Sequence, residues 1–341
     1  MGLNIENRRY IGNKSKLLGF IEDTIKEEKI DFNTFGDVFA GTGVVSEYFL
    51  NKGKEVYIND LLFSNYVVYK ALLNNEEFNE NKIKNIIDKY NQIKSEKIEE
   101  NYFSINFSGN YYHELDAKKI GYIREDIENK FQKKEINERE YYILICSLLY
   151  SMDKIANTVG HYESFLNKEP EYKNIKINYM DIKEYKNKSH LYNEDANSLV
   201  RKIKVDVMYI DPPYNARQYA NFYHLLENVA QWKKPKVYNK AKKMERKNIM
   251  SEYCKAKAKE VFIDLIDNIN AKYIVVSYNN TYKAKSTSSV NMIQYEDMIK
   301  ILERRGTVKV YETNYKAFNS GKTNLDKHKE RLFVCKLEEK L

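Results

Sequence analysis

The segment FNTFGDVFAGTGVVSEYFLNKGKEVYINDLL, residues 32–62, decides the predicted fold. Its short apolar run GDVFA ends in the glycine turn GTG. VVSEYFLNKG then has helical spacing and a terminal Gly53, and EVYIND is a second apolar strand that ends in an acid. A strand, a glycine turn, a helix and a second strand form the first half of a nucleotide-binding α/β unit.

Apolar runs of the same kind return late in the sequence. VDVMYIDPPY (205–214) and KYIVVSYNN (272–280) each place polar loop residues after a hydrophobic strand, and RLFVCKL (331–337) is a candidate last strand. Such runs are typical of a buried sheet with crossover helices. The sequence therefore predicts an α/β fold assembled from both ends of the chain.

The long middle of the chain, residues 63–188, has a different character. Apolar residues recur at helical spacing between residues 83 and 93, and residues 141–155 form a longer apolar helix. We therefore predict one sheet domain, built from residues 1–62 and 189–341, with a mainly helical insertion between its two parts.

The positive charge of the chain is concentrated in one segment. The 341 residues carry 57 Lys and Arg against 49 Asp and Glu, a net charge of +8. Residues 231–260, here called the basic segment, hold 11 basic and 3 acidic residues, which accounts for the whole excess. Such a segment indicates a surface that contacts phosphates. The alternative is a solvated lysine-rich loop.

Composition also narrows the location and the kind of site. No apolar stretch reaches about 18 residues, and the first residues are too charged for a secretion signal, so we expect a cytoplasmic protein without a membrane span. Cys146, Cys254 and Cys335 are too far apart for a disulfide framework or a zinc site. The five histidines show no metal-ligand spacing, so no metal is expected.

The most specific motif is DPPYNARQY, residues 211–219. Because proline lacks an N–H, Pro212 and Pro213 stiffen the chain after the strand and leave a corner rich in acceptors. The Asp211 carboxylate, the Pro212 carbonyl and the Tyr214 ring suit an amino group with two hydrogens, as on adenine. Accepting both N–H bonds makes that nitrogen a nucleophile. The structural alternative is a Pro-Pro turn followed by a stacked aromatic residue.

The glycine turn DVFAGTG, residues 37–43, predicts a second part of the site. Small residues at a strand-to-helix turn let the backbone approach a ligand closely. Asp60 ends the next strand about 20 residues on, where a carboxylate can bind both hydroxyls of a ribose. The spacing leaves a dinucleotide and S-adenosylmethionine both open, although the third glycine of the dinucleotide fingerprint is missing.

The motifs and their order along the chain resemble those of the adenine-N6 DNA methyltransferases of the DPPY type. The resemblance extends over most of the chain. RRYIGNKSKLL (8–18) looks like the amino-terminal cofactor motif of that family, and NEDA (193–196) looks like the motif whose acid binds the adenine of the cofactor. ANTVGHYESFL (156–166) is similar to a segment of restriction–modification members. The resemblance implies a Rossmann-like class I methyltransferase sheet, mostly parallel, with an antiparallel last strand.

The resemblance also implies S-adenosylmethionine as cofactor, with S-adenosylhomocysteine as product. Tyr10 and Lys14 would lie near its methionine part and Asp195 near its adenine, where Ala196 replaces an aromatic residue of some relatives. The implied catalytic residues are Asp211, Pro212, Pro213 and Tyr214. The implied cofactor-binding residues are Tyr10, Lys14, Asp37, Phe39, Ala40, Gly41, Thr42, Gly43, Asp60, Asp195, Ala196 and Asp211.

Double-stranded DNA is the partner that the resemblance implies, with the target adenine rotated out of the duplex. The insertion is the candidate target-recognition region. A cognate restriction endonuclease is a candidate partner, with an orphan methylase as the alternative, and the oligomeric state stays open. The candidate DNA-binding residues follow the catalytic motif or lie in the basic segment: Arg217, Gln218, Tyr219, Lys240, Lys242, Lys243, Arg246 and Lys247.

Two other functions remain open. The first is the same chemistry on RNA, although enzymes similar in architecture that act on glutamine or rRNA usually look like NPPY, and cytosine-N4 enzymes often look like SPPY, so Asp211 favours adenine in DNA. The second is an inactive subunit that binds the cofactor and nucleic acid. The intact Asp211 and Tyr214 argue against that reading.

Overall fold

The computed structural model describes residues 3–280, 290–314 and 329–338. The chain divides into two compact units. The helical unit comprises Met1–Ile11, Leu62–Glu184 and Ala220–Asn248, and the sheet unit comprises Gly12–Leu61, Tyr185–Tyr219 and Ile249–Leu341.

The sheet unit is built on one sheet. Its strands are β1 (Thr34–Asp37), β2 (Glu55–Asn59), β3 (Ser189–Tyr192), β4 (Val207–Ile210), β5 (Tyr273–Asn279), β6 (Gly306–Asn314) and β7 (Lys329–Leu337). The strand order is β3-β2-β1-β4-β5-β7-β6. Strands β1 to β5 pair in parallel, and β7 is antiparallel to both β5 and β6. This arrangement confirms the predicted Rossmann-like class I sheet with its antiparallel last strand.

The sequence analysis missed two strands of this sheet, the four-residue strand β3 at one edge and β6 at the other. The residues of β6, GTVKVYETN, alternate between apolar and polar side chains. Such a strand buries one face only, so it lacks the continuous apolar run that identified the inner strands.

Helices of the sheet unit cover both faces of the sheet. They are α1 (Leu18–Glu27), α2 (Val44–Asn51), α8 (Ala196–Leu199), α11 (Ala258–Asn268) and α12 (Tyr295–Glu303). On one face, Ile210 and Val276 belong to a hydrophobic cluster with Phe262 of α11. On the other face, Phe35 packs on Phe49 of α2 with ring centroids 4.2 Å apart.

The helical unit contains α3 (Phe63–Leu72), α4 (Glu80–Gln92), α5 (Tyr102–Phe107), α6 (Glu114–Gln132), α7 (Glu138–Ile155) and α10 (His224–Gln231). Helix α9 (Tyr219–Phe222) begins at the last residue of a sheet-unit segment. Helix α7 is buried along most of its length and packs against α3, α4, α6 and α10. Its apolar content explains this central position, because a helix that is apolar on most sides must be covered on most sides.

The helical unit contains more of the chain than the predicted insertion, residues 63–188. The Arg8 guanidinium donates to Asn65 Oδ1 at 2.6 Å, and Tyr10 stacks on Tyr223 with ring centroids 4.7 Å apart. The amino-terminal residues and the segment after the catalytic motif therefore belong to this unit. The basic segment is divided at Asn248, with its first part in the helical unit and its remainder in the sheet unit.

None of the described helices combines the length and the apolar character that crossing a membrane requires. Cys146, Cys254 and Cys335 are buried free thiols.

Candidate active site

The catalytic motif follows the buried strand β4. Tyr209 and Ile210 are in register with Val275 and Val276 of β5, so the next residue, Asp211, emerges at the carboxyl end of the parallel strands. This is the edge at which open α/β sheets bind ligands. Downstream, the backbone carbonyl of Tyr214 accepts hydrogen bonds from the Met292 N–H at 2.8 Å and the Tyr278 hydroxyl at 3.1 Å, which fix the end of the motif.

Both carboxylate oxygens of Asp211 have partners. The Tyr214 hydroxyl donates to Oδ1 at 2.5 Å, and the Lys14 ammonium lies 2.8 Å from Oδ2. The ammonium is also 5.0 Å from the centroid of the Tyr214 ring. The side chains of Lys14 and Asp211 are only 7% and 15% exposed, so water screens this ion pair weakly. The structure thus joins Lys14 to the Asp211 carboxylate, a contact that the sequence did not reveal.

Tyr214 adopts an inward conformation. Its ring packs on Tyr278 with centroids 4.7 Å apart and planes inclined by 61°, and its hydroxyl also lies 3.4 Å from Ser277 Oγ. Burial and the neighbouring Asp211 raise the pKa of Tyr214 well above its ordinary value. The phenol therefore stays protonated and serves as a hydrogen-bond donor to Asp211. That Tyr214 stacks on a target base stays a prediction.

The glycine loop after β1 is tied to the end of β2. Gly41 and Gly43 have φ angles of 55° and 84°, in the left-handed region where a Cβ is strained. The Gly41 N–H donates to Asp60 Oδ2 at 2.9 Å, and the Ala40 N–H donates to the Asn59 carbonyl at 2.9 Å. Asp60 therefore shapes the loop as well as ending β2.

Asp37 is the last residue of β1, and its carboxyl group is buried. Its Oδ2 accepts from the Ser46 hydroxyl at 2.8 Å, whereas Oδ1 has no hydrogen-bond partner among the described residues. Burial raises the pKa of Asp37 to about 8, and the negative charges of Asp211 and Asp60 add to this rise. Three acidic residues, Asp37, Asp60 and Asp211, thus lie at or directly after the carboxyl ends of β1, β2 and β4.

The remaining sheet-unit residues of the predicted cofactor site surround this loop. Phe39 packs edge-on against Tyr253, with ring centroids 5.0 Å apart, and Thr42 is buried. Exposed Asp195 caps α8, where its Oδ1 accepts from the Ser198 N–H at 3.0 Å. The Ala196 methyl group packs into the hydrophobic cluster on the α11 face of the sheet.

Asn59 is a site residue that the sequence analysis missed. Its side-chain amide donates to the Val38 carbonyl at 3.0 Å, and its Oδ1 accepts from the Glu194 N–H at 2.9 Å. It therefore links the loops that follow β1 and β3. The available signal was a polar residue next to Asp60, at the end of an otherwise apolar strand.

Three predicted DNA-contacting residues follow the catalytic motif. Arg217 is exposed, and Tyr219 is half-buried. Gln218 is only 6% exposed, and its amide bonds twice to the backbone of Ser251, donating at 2.9 Å and accepting at 2.8 Å. In this conformation Gln218 holds the segment after the motif in place.

Tyr10, the predicted aromatic residue of the cofactor motif, lies in the helical unit. It stacks on Tyr223 with planes inclined by 7°, its hydroxyl accepts from the Asn65 amide at 3.2 Å, and the Arg8 guanidinium lies 5.5 Å from both rings. Tyr10 and Lys14, neighbours in one predicted motif, thus belong to different units.

The five basic candidates at residues 240–247 also lie in the helical unit. Lys240 is at the tip of a tight turn closed by a β-bridge between Tyr238 and Lys243. The Ala241 carbonyl at the same turn accepts from the Tyr111 hydroxyl at 3.0 Å and lies 2.8 Å from His224 Nε2. Buried contacts therefore anchor the turn.

Some cations of this segment are already paired. Lys243 lies 2.7 Å from a carboxylate oxygen of Glu163, and the Arg246 side chain donates to Asn221 at 2.6 Å. Lys240 and Lys247 are exposed, and half-buried Lys242 has a φ of 52°. Within residues 3–280, 290–314 and 329–338, no group of His, Cys, Asp or Glu side chains is arranged to hold a metal ion; His328 lies outside these residues.

Comparisons with known proteins identify the family. The model of the D12 class N6 adenine-specific DNA methyltransferases matches residues 10–290. Modification methylase StsI of Streptococcus sanguinis is 35% identical over 94% of this chain and 50% of its own length. Type II methyltransferase M.FokI of Planomicrobium okeanokoites is 33% identical over 94% of this chain and 50% of its own length. Type II methyltransferase M.NlaIII of Neisseria lactamica is 32% identical over 94% and 95% of the two chains.

This chain thus spans about half the length of the first two relatives and nearly all of the third. A solved S-adenosylmethionine-dependent methyltransferase from Clostridium acetobutylicum aligns at 10% identity with a TM-score of 0.33, over 95% of this chain and 92% of that one, which is too distant to carry an argument. The relatives and the family model confirm the resemblance inferred from the order of the motifs. The chain belongs to the family of D12 class N6 adenine-specific DNA methyltransferases.

Proposed function

We propose that this chain transfers a methyl group from S-adenosylmethionine to the N6 amino group of adenine in double-stranded DNA, as the modification enzyme of a restriction–modification system. The observation that carries the proposal is the position of Asp211, an acceptor at the carboxyl end of β4, directly before two prolines. The family and the names of the relatives, modification methylases and type II methyltransferases, support it.

The acidic residues at the ends of β1, β2 and β4 suit a positively charged cofactor. Asp37 Oδ1 has no hydrogen-bond partner among the described residues, and Asp211 and Asp60 lie close enough to raise the pKa of Asp37. The glycine loop and Asp60 would hold the cofactor there, with Asp195 at its adenine. Bound S-adenosylmethionine supplies an activated methyl group on a sulfonium sulfur.

Asp211 and the Pro212 carbonyl accept the two N–H bonds of the target amino group. Drawing both hydrogens toward acceptors localises the lone pair on the nitrogen. This lone pair would form the new bond to the methyl carbon as the methyl–sulfur bond breaks and S-adenosylhomocysteine leaves, and one N–H proton would then pass by way of the Asp211 carboxylate to water. The main contribution of the protein is alignment of the two reacting atoms. Because a paired adenine has its amino group engaged in the duplex, the base must first be rotated out, at a cost of a few kcal/mol.

Positive charge on both units supports DNA as the substrate. Arg217 follows the catalytic motif and is exposed, as are Lys240 and Lys247 of the basic segment. We propose that these side chains contact phosphates and that the helical insertion reads the target sequence. The enzyme would act in the cytoplasm, alongside a cognate restriction endonuclease.

A labelling experiment tests the proposal. The purified protein is incubated with tritiated S-adenosylmethionine and unmethylated bacterial DNA, with total RNA in parallel, and the labelled nucleoside is identified. We expect label in N6-methyladenine from DNA. Label in RNA alone would overturn the substrate, and retained cofactor without transfer would instead favour an inactive binding subunit.

A further inference from the structure

A second buried carboxyl group lies near the catalytic corner and has no assigned role. Glu330 of β7 is 4% exposed, and its Oε2 finds no hydrogen-bond partner in the part of the chain that the structure describes. It pairs with Asn279 of β5 and Thr313 of β6, which do not titrate. Leaving a buried polar oxygen without a partner opposes folding, so its presence calls for a reason.

The strand register places Glu330 on the catalytic side of the sheet. Side chains two residues apart on a strand share a face, and directly paired residues share it too. Because Glu330 is opposite Asn279, it shares a face with Ser277, whose Oγ lies 3.4 Å from the Tyr214 hydroxyl. Asp211 directly follows β4, the strand next to β5, and its carboxylate accepts a hydrogen bond from the same Tyr214 hydroxyl.

Among the residues that the structure describes, four titratable groups interact with Glu330: Lys14, Asp211, Tyr209 and Tyr214. Burial raises the pKa of Glu330 to about 7; Asp211 raises it further, and Lys14 opposes the rise. Lys14 is the cation among these groups, and in the structure it bonds to Asp211.

We propose that Glu330 is a positioning residue that offers the Lys14 ammonium a second anionic position beside Asp211. This inference rests on the proposed function. A carboxylate bound to an ammonium is a weaker acceptor for a neutral N–H group than a carboxylate without that cation. Ionised Glu330 draws the ammonium toward itself, so Asp211 accepts the target amino group more strongly. Protonated Glu330 leaves Lys14 on Asp211.

The first test does not depend on activity. Carbon-13 NMR of the full chain labelled at the glutamate carboxyl carbon follows the titration of Glu330, whose signal is identified by its loss in Glu330→Gln. We expect a midpoint near pH 7, and in Lys14→Met we expect that midpoint to rise by about one unit because a neighbouring cation is lost. An unchanged midpoint in Lys14→Met would overturn the proposal.

The second test measures single-turnover methyl transfer between pH 6 and pH 9. The wild-type rate should rise through about pH 7. Glu330→Gln should show no such rise and should be about tenfold slower at pH 9, the effect of about one pKa unit of interaction. Its cofactor affinity should be unchanged, and Glu330→Asp should recover part of the rise. A wild-type pH profile in Glu330→Gln would contradict the proposal.

Glu312→Gln is the matched control. Glu312 lies on the neighbouring strand β6 and pairs with Arg331 and Lys329 at the sheet edge. This variant should keep the wild-type pH dependence of the methyl-transfer rate. A flattened pH dependence in Glu312→Gln would show that the loss of any carboxylate at this edge of the sheet has the same effect, and would overturn a specific role for Glu330. If the wild type transfers no methyl group, the proposed function fails, and the NMR titration still decides whether Lys14 and Glu330 are coupled.

Discussion

Each unit of the molecule contains a buried glutamate, and the two differ in how their charge is satisfied. Glu227 of α10, in the helical unit, accepts from the backbone N–H groups of Phe63 at 2.8 Å and Ser64 at 2.9 Å, one with each oxygen. Glu330, in the sheet unit, has one buried oxygen without a hydrogen-bond partner among the described residues, as has Asp153 of α7 in the helical unit. Burial of a carboxylate thus stabilises the fold only where its hydrogen bonding is complete.

Two buried aspartates repeat the contrast. Asp116 of α6 accepts from the backbone of Lys173 at 2.8 Å and of Ile175 at 2.7 Å, so it fixes a loop of the helical unit. Asp37 Oδ1, at the end of β1, has no hydrogen-bond partner within the described residues. A buried group with complete hydrogen bonding stabilises a fold, whereas a buried polar atom without a partner opposes it. Substitutions of these residues should therefore separate effects on stability from effects on methyl transfer.

The largest expected effect is the loss of methyl transfer in Asp211→Ala. Removing the acceptor should slow transfer at least about 10³-fold, the scale of removing a main transition-state interaction. Melting temperature should also fall, because the Lys14 ammonium is only 7% exposed and loses its carboxylate partner, so circular dichroism checks that the variant is folded. Tritium incorporation measures the rate, and Asp23→Ala, at an exposed acid of α1, is the control. Normal turnover in Asp211→Ala would refute the site assignment.

The next effect concerns stability and falls on the helical unit. Glu227→Ala leaves two backbone N–H groups at the start of α3 without their acceptors, in a buried position. We expect the free energy of unfolding to fall by about 3 kcal/mol. Urea unfolding measures it, and Glu330→Gln is the comparison, for which we expect no loss. If Glu330→Gln destabilised the protein as much as Glu227→Ala, the distinction between these two glutamates would not hold.

A pH-dependent effect should follow from Asp37. The pKa of Asp37 is about 8 in the folded state and 3.8 ordinarily. Its contribution to the free energy of unfolding is therefore fully present below about pH 4 and is lost as the pH rises toward 8. Asp37→Asn cannot ionise and can still accept from Ser46. Relative to wild type, the variant should gain stability with pH, by about 3 to 4 kcal/mol between pH 5 and pH 8. Parallel urea titrations at both pH values measure the difference, and a constant difference would contradict the assignment.

The sequence predicted those parts of the site that are local in the chain. The glycine loop, Asp60 and the catalytic motif each follow a predicted strand, and the parallel sheet brings strand ends to one edge. Lys14 and Glu330 had no local signal as partners of Asp211, because only folding brings the amino-terminal segment and β7 to β4 and β5. The position of Glu330 also depends on an antiparallel register that no motif specifies.

The basic segment shows a second limit of sequence reasoning. Counting charges located the excess, but a count does not distinguish paired cations from unpaired ones. In the structure Lys234 lies 2.5 Å from Glu125 and Lys243 lies 2.7 Å from Glu163, whereas Lys240 and Lys247 are exposed. Only part of the apparent charge is therefore available to a polyanion.

The smallest expected effect separates these two groups of lysines. Each phosphate contact adds about 0.9 to the slope of log affinity against log salt concentration. The double variant Lys240→Gln, Lys247→Gln should therefore lower that slope by up to about two. A control with Lys255→Gln and Lys259→Gln, whose ammonium groups pair with Glu252 and Asp297, should change it less. DNA binding between about 50 and 200 mM salt measures both. Equal slopes in wild type and the first variant would mean that the segment is a solvated loop, because a cation that contacts no phosphate releases no counterion.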